Sequence, residues 1–208
     1  MKKYSLYLFD FDGTLLDTSL GLNYVFKESF KVAGVTIKDE DILYLSRVPL
    51  SQSFIEFHAD ESKINEFINR IEESLDEYES ISTTRKYNET DEFIDYIKKN
   101  NILTGIVTSN NTNHVDKVFD YMKIDKNLFK VKIGSNKCKL IKPDPTPILM
   151  ALEEIGYINR KNEVIYVGDS VNDCLSAKNA GIDYVLIDRD NSSTLDFPKI
   201  NTLMELFN

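Results

Sequence analysis

Five short apolar runs, rich in β-branched and aromatic residues, recur along this chain, and most of them are separated by stretches with helical spacing. The runs cover residues 4–9, 103–108, 129–133, 164–167 and 184–187. Strands that alternate with helices pair in parallel, because each helical connection carries the chain back to the same end of the sheet. The pattern therefore predicts an α/β fold, with helices on the faces of a parallel sheet.

The first and second runs are too far apart for a simple crossover, and residues 17–83 between them have helical spacing only. Apolar residues form two stripes in this segment: Leu22, Val25, Phe26, Phe30 and Ala33 in the first, and Ile64, Phe67, Ile68, Ile71, Leu75 and Tyr78 in the second. The stripes predict a small helical bundle inserted beside the sheet, with these side chains as its core.

Two helices of the sheet-forming part have clear ends in the sequence. One is predicted from about residue 91 to residue 99, with Thr90 as its N-cap. The other follows Asp169 and ends at Gly181, since glycine readily takes the left-handed conformation that terminates a helix. Tyr87 lies just before the first of these helices, and packing is a sufficient explanation for it.

Composition and charge narrow the class of protein. The 208 residues include 34 acidic and 25 basic ones, a formal charge of -9, and no Lys/Arg run suited to a nucleic-acid backbone. Residues 4–9 are too short an apolar run for a signal peptide or a membrane span. Cys138 and Cys174 lack the spacing of a zinc site. We expect a cytoplasmic protein with reduced thiols and with no nucleic-acid or membrane partner.

Acidic residues follow the first predicted strand directly, in the sequence DFDGT at residues 10–14. Strand alternation places the side chains of Asp10 and Asp12 on the same side, and Gly13 lets the chain turn away. Ligands bind at the carboxyl ends of parallel strands, so this pair is a candidate site. An ordinary turn explains a single pattern of this kind about equally well.

Three further strand ends carry matching features, which favours a site over a turn. The second strand ends in TSN at residues 108–110, whose hydroxyls and the amides opening the next helix can hold phosphate oxygens. Lys142 opens the sequence KPDP and places a cation before another helix. The sequence GDSVND at residues 168–173 adds a second acidic pair, Asp169 and Asp173.

The sequences DFDGT, IVTSNN, KPDP and VGDSVND, in this order, resemble the four motifs of the haloacid dehalogenase superfamily. The resemblance covers the whole chain, and the set of four is specific. It implies a Rossmann-like catalytic core of residues 1–16 and 84–208, and a helical-bundle cap of the C1 type at residues 17–83. The chain is similar to the capped phosphatase subgroup that includes phosphoglycolate phosphatase and β-phosphoglucomutase.

The resemblance also implies roles for individual residues. It implies Asp10 as the nucleophile and Asp12 as the general acid and then the general base. The phosphate-binding residues that it implies are Thr108, Ser109, Asn110 and Lys142. The Mg²⁺ ligands that it implies are Asp10, the Asp12 backbone carbonyl, Asp169 and Asp173, the last directly or through water.

The chemistry of the residues is consistent with these roles. A carboxylate that approaches a phosphate dianion is repelled by about 4 kcal/mol per pair of unit charges at roughly 4 Å with an effective dielectric near 20. Mg²⁺ and Lys142 supply the opposite charge, and a carboxylate site without His or Cys suits Mg²⁺ rather than zinc. Asp12 is available as the separate proton carrier that formation and breakdown of an aspartyl phosphate require.

The expected substrate is a small phosphorylated metabolite: phosphoglycolate, a sugar phosphate, a nucleotide or pyrophosphate. A phosphomutase and a non-catalytic ligand-binding regulator are the alternatives, whereas a dehalogenase is disfavoured because Asp12 and Asp169 are both present. We expect selection among substrates to come from the cap, where Arg47 either binds a second anionic group or lies exposed on the surface. The expected assembly is a monomer or a weak homodimer.

Overall fold

The structure is a computed structural model that describes residues 2–45, 48 and 50–208, without the side chains of Leu43 and Ser51. The chain folds into two compact units. Unit 1 comprises Met1–Asp17 and Lys86–Asn208, and unit 2 comprises Thr18–Arg85. The interpretation of unit 1 as a catalytic core and of unit 2 as a cap stays a prediction.

All the strands of the described residues belong to unit 1. In chain order they are β1 (Leu6–Phe9), β2 (Thr104–Val107), β3 (Phe129–Ile133), β4 (Val164–Gly168), β5 (Asp183–Ile187) and β6 (Lys199–Ile200). They form one parallel sheet in the order β3-β2-β1-β4-β5-β6. The prediction of a parallel sheet is thereby confirmed. Strand β6 was not predicted, because its two residues are too few to form a recognisable apolar run.

The α-helices are distributed over both units. In chain order they are α1 (Ser19–Val32), α2 (Asp39–Leu45), α3 (Leu50–Glu56), α4 (Ile64–Leu75), α5 (Tyr78–Ser82), α6 (Thr90–Lys99), α7 (Thr112–Met122), α8 (Thr146–Glu154) and α9 (Val171–Ala180). Short 3-10 helices occupy Glu61–Lys63, Lys126–Leu128, Lys161–Glu163 and Leu203–Phe207. Within the part of the chain that the structure describes, no helix combines the length and the apolar character needed to cross a membrane.

The core of unit 1 lies on the two faces of the sheet. Strands β1 and β4 are buried along their whole length, because they occupy the centre of the sheet and helices cover both faces. Ile148, Leu152 and Ala177 of α8 and α9 belong to the core cluster on one face. Complete burial of a side chain such as Leu152 contributes about 1.5 to 3 kcal/mol to stability.

Unit 2 has a hydrophobic core of its own. Phe30 of α1 and Phe67 of α4 lie 4.8 Å apart between ring centroids, and Phe54 of α3 lies 5.0 Å from Phe67. The predicted stripes account for most of this core, but Ile68 and Tyr78 were wrongly included. Their side chains are exposed, by 40% and 70%, because they face away from that core.

Two predicted helix ends can be compared with the structure. Helix α9 stops at Gly181, whose φ of 77° confirms the left-handed C-cap. Helix α6 begins one residue earlier than predicted, so Thr90 is its first helical residue and Glu89 is the N-cap, without a capping hydrogen bond from its side chain. The prediction of Thr90 as the N-cap was wrong, and its side chain is buried instead.

Candidate active site

The central strands bring two acidic segments together. The backbone amide of Asp10 continues the ladder beyond β1 and donates to the carbonyl of Val167 in β4 at 2.9 Å. This register sets Asp10 beside Asp169, which follows β4. Three carboxylate oxygens lie within 4.8 Å of one another, one each from Asp10, Asp169 and Asp173. The structure therefore brings together the three acidic side chains that were predicted as metal ligands.

Lys142 lies inside this acidic cluster. Its Nζ atom is 2.8 Å from Oδ1 of Asp10 and 2.6 Å from Oδ1 of Asp173, and only 6% of its side chain is exposed. Burial lowers the pKa of Lys142, but the two carboxylates outweigh burial and hold the pKa well above its ordinary value. The residue is thus a buried ammonium that pairs with two acids.

Asp10 has a strongly perturbed environment. Burial raises the pKa of its carboxyl group, Lys142 opposes that effect, and the nearby carboxylates raise the pKa further, so that it lies well above its ordinary value. Among the described residues, no group donates a hydrogen bond of good geometry to the buried Oδ1 atom, although the Lys142 ammonium is close. A cation bound beside Asp10 would favour its ionised form.

Asp173 is fully buried and has protein partners on both oxygens. Oδ2 accepts hydrogen bonds from the backbone amide of Ser170 at 3.0 Å and from its hydroxyl at 2.5 Å, which completes a capping box at the start of α9. Oδ1 pairs with Lys142. Gly168 permits this packing, because a Cβ there would lie 2.3 Å from atoms of Asp173. Asp173 therefore orients the lysine as well as facing the acidic cluster.

Gly13 shapes the turn that follows β1. Its φ is +74°, and a Cβ at this position would lie 2.6 Å from Oδ2 of Asp169. Glycine is needed both for the backbone conformation and for the close approach of the Asp169 carboxylate. The turn thus brings the backbone at Gly13 next to the Asp169 carboxylate.

The loop after β2 reaches the same edge of the sheet. Thr108 is buried, and its Oγ1 accepts a hydrogen bond from the Asn110 amide at 3.0 Å. The Asn110 side chain donates to Oδ2 of Asp12 at 3.3 Å. Ser109 is exposed, and it lines a shallow pocket together with Thr108 and Lys142. The Asn110 side chain therefore contacts Asp12, and its role in binding phosphate stays a prediction. Arg47 lies outside the described residues.

Sequence reasoning missed two tyrosines near the acidic cluster. Tyr166 of β4 is fully buried; its hydroxyl donates to the carbonyl of Val107 at 2.6 Å and lies 3.3 Å from Nζ of Lys142. No signal marks it, since an aromatic residue in a buried strand is ordinary. Tyr87 was assigned to packing alone, but its hydroxyl also donates to the Gly13 carbonyl at 3.1 Å.

The oxygen atoms of the acidic cluster can be compared with the ligands that metal ions prefer. Asp10 and Asp169 offer carboxylate oxygens at one point of the sheet edge, and the described residues within that cluster include no His or Cys ligand. Hard divalent cations such as Mg²⁺ prefer oxygen donors of this kind. The residues fit such an ion, which would add positive charge beside the Asp10 carboxylate.

Comparison with known proteins agrees with this geometry. The sequence model of the haloacid dehalogenase-like hydrolases matches residues 7–187. A candidate pyrophosphatase, PpaX, of Clostridium perfringens is 33% identical over 181 residues, which cover 84% of this chain and 79% of that protein. Pyrophosphatase PpaX of Bacillus velezensis is 31% identical over 190 residues, which cover 86% and 81% of the two chains.

Solved structures share the fold. A candidate haloacid dehalogenase-like hydrolase from Bacteroides fragilis superposes with a TM-score of 0.86 at 26% identity, covering 98% of this chain and 100% of that one. A candidate phosphoglycolate phosphatase from Lactobacillus plantarum gives a TM-score of 0.82 at 22% identity, covering 99% and 100%. The predicted Rossmann-like α/β fold is confirmed by these likenesses.

Proposed function

This chain belongs to the haloacid dehalogenase-like hydrolases and is a phosphatase, and we propose that it hydrolyses a small phosphorylated molecule with Mg²⁺ by way of a phosphorylated Asp10. The observation that carries the proposal is the meeting of a buried ammonium with three carboxylates at the carboxyl edge of the sheet. Nζ of Lys142 lies 2.8 Å from Asp10, and one oxygen of Asp10 lies within 4.8 Å of oxygens of Asp169 and Asp173.

In the proposed reaction, a carboxylate oxygen of Asp10 attacks the phosphorus atom and displaces the leaving group, so that an acyl phosphate forms on Asp10. Asp12 gives a proton to the leaving oxygen. It then takes a proton from the water that attacks the acyl phosphate, which releases phosphate and restores the Asp10 carboxylate. The Asn110 amide, 3.3 Å from Oδ2 of Asp12, supports that side chain for both proton transfers.

The phosphoryl oxygens need positive charge and hydrogen-bond donors around them. Lys142 supplies the charge from within the cluster, and Thr108 and Ser109 are the proposed hydroxyl donors, since they follow β2 at the same edge of the sheet. Phosphoryl transfer depends mainly on positioning and charge stabilisation, so donors with fixed positions are well suited to it.

Mg²⁺ is the proposed cofactor, and the residues proposed to hold it are Asp10, Asp12 through its backbone carbonyl, Asp169, and Asp173 directly or through water. When bound, the ion supplies positive charge that reduces the repulsion between the Asp10 carboxylate and the phosphoryl group. The close packing of Gly13 against Asp169 supports this assignment, because it sets the Asp12–Gly13 peptide beside the acidic cluster.

The relatives direct the choice of substrate. The PpaX proteins of Clostridium perfringens and Bacillus velezensis carry the name pyrophosphatase, so inorganic pyrophosphate is the first substrate that we propose. Phosphoglycolate, sugar phosphates and nucleotides complete the panel, because the proposed chemistry requires only a phosphoryl group and a leaving oxygen.

Phosphate release from this panel, measured with Mg²⁺ and with EDTA, tests the proposal. We expect release with Mg²⁺ only, and we expect Asp10→Asn to reduce it by at least about a thousandfold because the nucleophile is lost. Asp188→Asn is the matched control: Asp188 also follows a strand and is likewise 7% exposed, but its side chain accepts hydrogen bonds from the backbone amides of Ser192 and Ser193 instead.

Three outcomes would contradict the proposal. Phosphate release that persists in EDTA would exclude a requirement for Mg²⁺. Phosphate release by the Asp10→Asn variant would exclude Asp10 as the nucleophile. Interconversion of sugar phosphates without free phosphate would favour a phosphomutase. Acid-quenched peptide mapping provides a direct check of the covalent step, because the phosphoryl group should be found on the peptide that contains Asp10.

A further inference from the structure

We propose that Arg189, which belongs to none of the four motifs, is a positioning residue that fixes the turn just beyond Asp12 and thereby the metal site that this turn borders. This inference rests on the proposed function, because it concerns the metal site of that reaction. Arg189 follows β5 and therefore reaches the turn after β1 from a different part of the chain.

The guanidinium of Arg189 holds two consecutive carbonyls of this turn. Nη1 donates to the carbonyl of Gly13 at 2.9 Å, and Nη2 donates to the carbonyl of Thr14 at 2.8 Å. The Tyr87 hydroxyl donates to the same Gly13 carbonyl at 3.1 Å. The backbone just beyond Asp12 thus receives three side-chain hydrogen bonds, two of them from a charged group.

Arg189 is itself firmly held. Its Nε donates to Oε1 of Glu89 at 2.9 Å, and its Nη2 lies 2.8 Å from the same oxygen. The guanidinium carbon is 3.4 Å from the ring centroid of Tyr87, a stacked arrangement. The side chains of Arg189 and Glu89 are 19% and 11% exposed. Glu89 binds one edge of the planar guanidinium, and the Tyr87 ring covers one of its faces. The remaining N–H donors of Arg189 therefore point in a fixed direction.

The turn needs such support because its backbone hydrogen bonds go to other carbonyls, whereas the Gly13 carbonyl accepts from the side chains of Arg189 and Tyr87. The amides of Thr14, Leu15 and Leu16 all converge on the carbonyl of Phe11, and the Gly13 amide donates to the carbonyl of Leu16. Gly13 has a positive φ and no side chain, so few intrinsic restraints act on the Gly13–Thr14 peptide, to which the Gly13 carbonyl belongs. A displacement of this peptide would shift the turn and open the close contact between Gly13 and Asp169.

The chain offers a matched control for this cluster. Arg160 donates to Glu163 from Nε at 2.9 Å and from Nη2 at 2.6 Å, and its guanidinium carbon is 4.4 Å from the Tyr157 ring centroid. The set of partners is the same, an acid and a tyrosine ring. Arg160 precedes β4, at the opposite end of that strand from Asp169, so it lies away from the turn after β1.

Thermal unfolding of the full chain against increasing MgCl₂, without substrate, tests the inference. The rise in Tm with Mg²⁺ gives an apparent dissociation constant. We expect Arg189→Ala to weaken Mg²⁺ binding about tenfold or more, as removal of a residue that orients a metal ligand does. Arg189→Lys keeps the charge beside Glu89 but not the fork, so it should weaken Mg²⁺ binding while leaving Tm in EDTA closer to that of the wild type. Arg160→Ala should leave Mg²⁺ binding unchanged.

A merely structural arginine would behave differently. If both Arg189 variants melted earlier in EDTA but bound Mg²⁺ as tightly as the wild type, the inference would be overturned. If Arg189→Ala does not fold, Arg189→Lys decides by the same criterion. A wild-type chain without any Mg²⁺-dependent rise in Tm would contradict the proposed function itself, which separates that failure from failure of this inference.

Discussion

At the residue scale, two acids with different roles, Asp10 and Asp173, stabilise the charge of Lys142. A buried ammonium is costly unless carboxylates compensate it. Asp10 is the proposed nucleophile, and its charge changes when it is phosphorylated. Asp173 keeps a carboxylate beside the ammonium throughout, because Ser170 and the start of α9 fix its other oxygen. The lysine therefore does not depend on the reacting residue for its only partner.

Gly13 gives a prediction at the same scale. Gly13→Ala should lower phosphatase activity by about a hundredfold, because the added Cβ would displace Asp169 or the turn by about an ångström. Gly156→Ala is the control, since Gly156 has a similar φ of +78° but no atom within 4 Å of the place that a Cβ would take. Both variants should lose about 1 to 2 kcal/mol of stability from the left-handed backbone, so kcat and urea unfolding together separate the two effects. Equal activity of the two variants would show that the contact with Asp169 is unimportant.

At the scale of elements, β1 and β4 set the site through their register. Phe9 pairs with Val167, and the residues that follow this pair are Asp10 and Gly168. The amino ends of the two strands are joined through Glu163, whose carbonyl accepts from the Ser5 amide at 2.9 Å and whose side chain accepts from the Ser5 hydroxyl at 2.7 Å. A shift of register here would separate Asp10 from Asp169.

The Glu163 contacts predict a pH dependence of stability. Hydrogen bonds from Arg160 and Ser5 lower the pKa of Glu163 from 4.5 to about 2 in the folded chain. Because the folded pKa is the lower one, this contribution is present above about pH 4.5 and is lost as the pH falls toward 2. The difference in unfolding free energy between wild type and Glu163→Gln should be small, since the pair is partly exposed, and should shrink across that window. Urea unfolding at several pH values measures it, and a constant difference would contradict the assignment.

At the scale of the whole molecule, each unit has its own hydrophobic core. The aromatic cluster of unit 2 is centred on Phe67, which contacts Phe30 and Phe54. The core of unit 1 is built on the central strands of the sheet instead. A defect in one core should therefore be detected first in the hydrogen exchange of the unit that contains it.

Phe67→Ala tests this expectation. Loss of a fully buried ring should cost about 3 to 5 kcal/mol in unit 2, because a cavity is left behind. Hydrogen exchange should accelerate in α1 and α4, while the amides of β1 and β4 keep their protection. Tyr78→Ala, which removes a ring that is 70% exposed, should change little. Equal loss of protection in both units would show that they unfold together.

Much of this protein could be predicted from the sequence because the signals are local. Five of the six strands that the described residues form, the helical character of residues 17–83 and the left-handed stop at Gly181 each follow from spacing or from one residue type. The acidic pairs at residues 10 and 12 and at residues 169 and 173 were predicted in the same way, since parallel strands place their carboxyl ends at one edge. The tertiary structure was needed for Thr90 and Ile68, whose burial or exposure depends on neighbouring elements.

The hydrogen bonds that fix the site were decided only by the tertiary structure. Tyr166 reaches Lys142, and Arg189 reaches the turn after β1, across long separations in sequence. A tyrosine inside an apolar strand and an arginine after another strand have no local pattern that reveals such partners. The sequence by itself determined the fold class and the set of charged groups, because periodicity and motif spacing are properties of short segments. Packing of distant segments determined which groups hold the charged ones in place.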